Sequence, residues 1–265
     1  MGMDRAIALE RKLGWTDEIR PMALGSFFAD FLAPDRRTII PTETGLKFYA
    51  DPLSAFGHAL IQGNFEPQTE QLIRAHLHEG GSFLDVGANE GYFSSMAGSI
   101  VGPAGYIASV EPQSRLTEII EINLALNGAR GTIFQGALGG AKGAQAKMHL
   151  WPSLNNASSG MTSKPRFSNR AEMVNFIDPE DLLQGREAFS LAKVDVEGFE
   201  DQVIPSLLPL LQRGQIHTLL LDYHARILSA KGVNPVDIEQ KILQAGMVLQ
   251  GAPEAYSDYR LYIKA

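Results

Sequence analysis

The chain has 265 residues, a formal net charge of −7, 45% hydrophobic and 20% charged residues, and no cysteine. That length accommodates one α/β domain with a sizeable core and some added structure. The negative charge argues against a general nucleic-acid binder, and the lack of cysteine removes disulfides, thiolate metal sites and a cysteine nucleophile. No run of about 18 apolar residues occurs and no basic-then-apolar leader opens the chain, so a soluble, untargeted cytoplasmic protein with no membrane partner is expected.

Up to residue 37, Ile7, Leu9 and Leu13, then Met22, Leu24, Phe27 and Phe28, recur at helical intervals, and Pro21 and Pro34 divide them into two short helical pieces. Thr38 to Asp51 alternates around Thr44-Gly45 as a small hairpin. Residues 1–55 are thus expected to form an N-terminal extension that packs on the domain or builds a homo-oligomer, with the main domain spanning 56–265. Pro67 suits the first turn of a helix running to about Leu77. Glu66, just before it, either caps that helix or lies where the extension folds over a ligand site.

Ser82 to Val86 then reads as a buried strand, Gly87-Ala88-Asn89-Glu90-Gly91 as a tight turn, Tyr92 to Ile100 as a helix and Tyr106 to Val110 as a strand ending in Glu111. This is half of a nucleotide-binding βαβ unit. Glycines at 87 and 91 let the backbone turn sharply and approach a ligand, and Glu111 stands where a carboxylate accepts hydrogen bonds from a ribose diol. A helix through Leu126 and a strand from Gly131 to Gln135 follow, so Gln135, Gly136 and Ala137 either border a base or merely end a strand. The dinucleotide fingerprint G-x-G-x-x-G is absent. Glu90 sets a negative charge where a pyrophosphate would lie, which disfavours a nicotinamide-dependent oxidoreductase and suits S-adenosylmethionine, a sulfonium with no phosphate.

From Leu138 to Arg170 the alternation lapses apart from a strand at Lys147 to Leu150. Residues 151–170, rich in Ser and Asn, are expected to form a lid-like insertion, with Lys164, Arg166 and Arg170 as a modest positive patch. Met173 to Ile177 reads as a strand, Asp178-Pro179 opens a short helix, and Ser190 to Val196 is a core strand. Asp195 and Glu197 at its end should border the same crevice as Gly87, whereas Glu200 reads as a helix-start acid. The strand Ile216 to Leu221 leads to Asp222-Tyr223-His224, and His224 is either a general base or structural. Asp195, Glu197, Asp222 and His224 offer hard ligands to a divalent cation, but no tight spacing marks a site and no metal is expected. A helix from Asn234-Pro235 and strands at Met247 to Leu249 and Tyr259 to Ile263 close the sheet in antiparallel fashion.

LDVGANEGYFS (84–94), SVEP (109–112), FIDPEDLL (176–183) and LAKVDVEGFEDQVI (191–204), preceded by Asn64-Phe65-Glu66-Pro67, resemble the FkbM family of S-adenosylmethionine-dependent methyltransferases. The resemblance implies a Rossmann-like class I methyltransferase fold of the α/β class, with a seven-stranded, mostly parallel sheet whose last strand is antiparallel, here behind a helical N-terminal extension. It also implies methyl transfer to an oxygen, often a sugar or polyketide hydroxyl. Glu90 replaces the family's usual aliphatic residue and Asp222 its usual Glu. Matched by motif, Asp85, Gly87, Asn89, Gly91 and Tyr92 surround the methionine portion of the cofactor and Glu111 holds the ribose. Gln135 and Ala137 border adenine, and Glu66 joins from the upstream motif. Asp195 and His224, then Glu197, are the candidate bases for a small-molecule hydroxyl partner. A non-catalytic cofactor-binding scaffold is the competing class.

Overall fold

Residues 36–150, 170–251 and 259–265 of a computed structural model are described; the N-terminal helical pieces, nearly all of the insertion and the last connecting loop lie outside them. The hairpin is present as β1 (Thr38–Pro41) and β2 (Lys47–Ala50), and it sits against the domain. A helix absent from the sequence-based expectation follows, α1 (Ala55–Gln62). The Ser54 hydroxyl accepts the Gly57 N–H at 2.9 Å to start it, and Gly63 ends it in the left-handed region. Next come α2 (Pro67–His76), β3 (Ser82–Val86), α3 (Tyr92–Val101), β4 (Tyr106–Glu111), α4 (Ser114–Leu126) and β5 (Thr132–Gln135).

Beyond β5 the chain leaves the main sheet for β6 (Gln145–His149) and β7 (Ala171–Asn175), an antiparallel pair of their own. A 3-10 helix (Pro179–Leu183) leads back to β8 (Phe189–Val194), α5 (Glu200–Gln212), β9 (Ile216–Asp222), α6 (Ala225–Ala230), α7 (Pro235–Gln244), β10 (Met247–Leu249) and β11 (Tyr259–Lys264). The seven-stranded sheet has the order β10-β11-β9-β8-β3-β4-β5. The central pairs are parallel, and β11 runs antiparallel to both of its neighbours. The sheet is therefore the Rossmann-like one that the sequence implies. Its winding reverses between β3 and β8, the place where open α/β sheets bind ligands.

Strand side chains alternate between two cores. Phe83, Ile107, Leu191 and Leu220 face α1 to α4 and the hairpin, while Leu84, Ala108, Ala192 and Leu219 face α5 and α7. Each large apolar side chain so buried contributes about 1.5–3 kcal/mol. The hairpin joins the first core through Phe48, and Asn123 of α4 and Asn127 just after it accept the N–H groups of Tyr49 and Lys47 at 2.6 and 2.9 Å. Side chains thus satisfy a strand edge that would otherwise invite pairing with another chain. No described helix is long and apolar enough to cross a membrane.

Candidate active site

Gly87 follows β3 with φ of 84°, and a Cβ there would fall 1.9 Å from the carbonyl oxygen of Asp195. The ends of β3 and β8 can close together only over a glycine. Where they meet, a cavity of about 300 Å³ opens, within the size range of small-ligand sites. The turn residues Gly87 to Glu90 and Tyr92 line one side, Glu111, Gln113 and Gly136 to Leu138 another, and Asp195, Glu197, Asp222 and His224 the far end.

Glu111 is 3% exposed and does more than the sequence suggests. Its Oε2 accepts the Asn89 N–H at 2.8 Å and its Oε1 the Gln113 N–H at 2.9 Å, so it also shapes the glycine turn. The Gln113 side chain also bonds the carboxylate, and the acceptor capacity that remains faces the cavity. Burial pushes the carboxyl up to about 7 against those two N–H groups and Arg115. Asn89 sits in the left-handed region with a buried side-chain oxygen that has no hydrogen-bond partner among the described residues. Such an orphaned acceptor beside a glycine cradle fits a ligand with donor groups.

Glu66 lines the cavity and does not cap α2. Its φ is 41°, it makes no side-chain cap bond, and it accepts the Tyr259 hydroxyl at 3.0 Å. Burial raises its pKa. Ala137 and Tyr92 line the cavity, whereas three other predicted residues do not. Gln135, the last residue of β5, is exposed beside Met173, and the stretch just beyond the strand, Gly136 to Leu138, lines the cavity instead. Gly91 serves α3, where its α-carbon packs on Ile120 of α4. Asp85 is wholly buried beneath the cavity, accepting the Ser94 hydroxyl at 2.7 Å, and burial raises its pKa. The cavity also takes in Phe56, Phe65, Phe93 and Met148, of which the sequence singles out only Phe65, through the upstream motif. The first three pack around Tyr92 as an aromatic wall.

Glu90 was expected to charge the turn, but its carboxylate is 2% exposed and pairs with Arg37 at 2.6 Å. The acidity that suits a cationic ligand comes instead from the strand ends. Lys193, on β8 and 3% exposed, donates to Asp195 at 3.1 Å and stands 3.9 Å from Asp85 and 4.9 Å from the Phe93 ring centre. Burial alone would lower its pKa, yet Asp195, Asp85 and Glu66 hold it above the usual lysine range. Replacing Lys193 with methionine should cost about 3–5 kcal/mol in urea unfolding, because Asp85 would then be buried without its counter-ion.

His224 Nδ1 faces Glu200 Oε1 at 2.6 Å, while its Nε2 lies 3.7 Å from Asp195 and 3.6 Å from Glu197. Burial works against its charge, but Glu200, Asp195 and Glu197 push the pKa up to about 9. At neutral pH the ring is therefore an imidazolium, and the groups free to accept a proton are the carboxylates around it. A ring held protonated in this way favours the carboxylates over His224 as the base. Glu197 and Asp222 are both pushed up to about 7, by burial first and then by neighbouring carboxylates such as Asp195. Asp195, Asp222 and His224 bring ligand atoms within 4.8 Å of one another, a spacing a cation could bridge, although acidic groups often gather so without one.

A glycine cradle, a buried ribose-type carboxylate, an orphaned acceptor and a surplus of negative charge fit S-adenosylmethionine, whose sulfonium and ammonium are cations. No curated protein sequence matches the chain. Among solved structures, a TehB-like S-adenosylmethionine-dependent methyltransferase from Corynebacterium glutamicum aligns at 12% identity and TM-score 0.48, over 79% of this chain and 94% of that one. Aeropyrum pernix fibrillarin with bound S-adenosylmethionine aligns at 14% identity and TM-score 0.44, over 74% of this chain and 72% of that one. Likenesses this distant say nothing of the acceptor. The methyltransferase FkbM domain, in contrast, matches residues 85–249, from the Asp85 turn through β10 and more than half of the chain. With the cradle and the strand-end carboxylates inside that match, the chain belongs to the FkbM family of S-adenosylmethionine-dependent methyltransferases.

Proposed function

We propose that the chain methylates a hydroxyl oxygen of a small molecule such as a sugar or a polyketide-type metabolite. The observation that carries this proposal is the cluster at the far end of the cavity, where Asp195, Glu197 and Asp222 surround His224. An alcohol is a poor nucleophile until its proton is taken, and carboxyl groups titrating near 7 are suited to take it near neutral pH. Bound in the cradle, S-adenosylmethionine supplies a methyl carbon already activated by its sulfonium. The chain's own part is alignment and proton removal.

Asn89, Glu111 and Glu66 would hold the cofactor's polar groups, with the aromatic wall as the apolar side of the pocket. Asp195 is anchored by Lys193 at 3.1 Å on one oxygen and faces His224 with the other. The imidazolium keeps negative charge concentrated there, and Glu197 and Asp222 complete a group that exchanges protons as a unit. A net charge of −7 supports a small acceptor over a nucleic acid.

Incubation with methyl-labelled S-adenosylmethionine and a panel of sugar and polyketide alcohols should yield a labelled methyl ether. Asp195→Asn should lower kcat about a hundredfold while leaving cofactor affinity within a few-fold. Label recovered on nitrogen or carbon would refute the oxygen specificity, and cofactor binding without any transfer would favour a scaffold.

A further inference from the structure

Glu200, the first residue of α5, has a sequence position that suggests only a favourable charge at a helix start. Such a residue normally keeps its carboxylate in water. Glu200 is wholly buried and is not part of the cavity wall. A carboxylate removed from solvent is costly unless hydrogen-bonded. Its Oε1 accepts the Gly198 N–H at 3.1 Å and faces His224 Nδ1 at 2.6 Å. The backbone bond prevents the carboxylate from following the ring. Gly198 is itself fixed, since Lys231 donates to its carbonyl at 2.8 Å and a Cβ on it would meet Ile227 at 2.2 Å.

We propose that Glu200 is a positioning residue, holding the His224 ring with its Nδ1 proton on Oε1 so that Nε2 is presented to Asp195 and Glu197 at the cavity. The inference rests on the methyl-transfer role proposed for that cluster. With Nδ1 committed, the ring plane is set by a group that never touches the ligand, as in carboxylate–histidine pairs generally. The Nε2 distances of 3.7 and 3.6 Å leave that nitrogen between the two carboxylates, bonded to neither. The charged groups around the ring are Asp195 and Glu197 from the loop after β8, Glu200 from α5 and Asp222 at the end of β9. Glu200 thus fastens the end of β9 to the start of α5, and the acceptor end of the cavity takes its shape from that bond.

Long-range proton–nitrogen correlation on the full chain with labelled histidine reads the ring directly. Above pH 10, past the titration near 9, wild-type His224 should carry its proton on Nδ1. Glu200→Gln should lower the proton affinity of His224 at least about tenfold, and Glu200→Leu should release the ring into mixed tautomers. With an acceptor in hand, kcat of Glu200→Gln should fall about 10–100-fold while cofactor affinity stays within about twofold. A wild-type proton on Nε2 overturns the proposal without any variant, and so does a Gln variant with wild-type signals or wild-type kcat. Failure of the wild-type chain to bind S-adenosylmethionine would instead strike the methyl-transfer role and leave the tautomer result standing.

Discussion

Gly87→Ala should abolish measurable binding of S-adenosylmethionine in calorimetry and destabilise the fold by about 3 kcal/mol or more in urea. Two independent causes act together. The native φ of 84° lies in the left-handed region, and the added carbon would sit 1.9 Å from the Asp195 carbonyl oxygen, a backbone atom with no rotamer to change. Relief requires the ends of β3 and β8 to part. That motion breaks the Asp195 N–H bond to the Val86 carbonyl at 3.0 Å and opens the floor of the cavity. Unchanged cofactor affinity in this variant would mean that the cofactor lies elsewhere.

Glu111→Ala is expected to weaken cofactor binding about a hundredfold or more. Hydrogen bonds to a charged acceptor contribute about 1.5–3 kcal/mol each, and a ribose diol would make two. The substitution also strands the Asn89 and Gln113 N–H groups that Glu111 now accepts. The pH dependence carries its own sign. The carboxyl titrates near 7 in the free protein, and a ligand that donates to it favours the ionised form. Affinity should therefore be complete above pH 8 and fall as pH drops through 7, approaching tenfold per unit at lower pH. Affinity that is flat from pH 5 to 9 would remove Glu111 from the ribose site.

Local patterns were enough to locate the sheet and its ligand edge. SFLDVGANEG declares a strand and the tight turn that leads into a helix within ten residues, and VDVEG and LLLDYH each declare a strand with acids at its end. Parallel strands alternating with helices then place those ends side by side. What could not be read is which side chain meets which. Ser54 and Gly63 do signal the start and stop of α1, but the apolar run between them is short enough to pass for a connection. The Arg37–Glu90 pair joins residues 53 positions apart, and nothing in the turn announces it. Glu200 has the same composition and position as an ordinary helix-start acid, and only its burial and the arrival of His224 distinguish it. Protonation of His224 likewise depends on three carboxylates between β8 and the start of α5, which meet it only because its own strand, β9, lies beside β8.

Trimming the chain to its family match would discard structure on which the matched residues depend. Residues 85–249 leave out the hairpin, α1, α2, most of β3 and all of β11. With them go Arg37 from Glu90, Phe56 and Phe65 from the aromatic wall, and Glu66 from the cavity along with the Tyr259 hydroxyl that bonds it. Asn123 and Asn127 would lose the strand they clasp, and β9 would become a raw edge. The stretch recognisable as kin is therefore smaller than the unit that folds cooperatively, and limited proteolysis should yield no stable fragment with its boundaries.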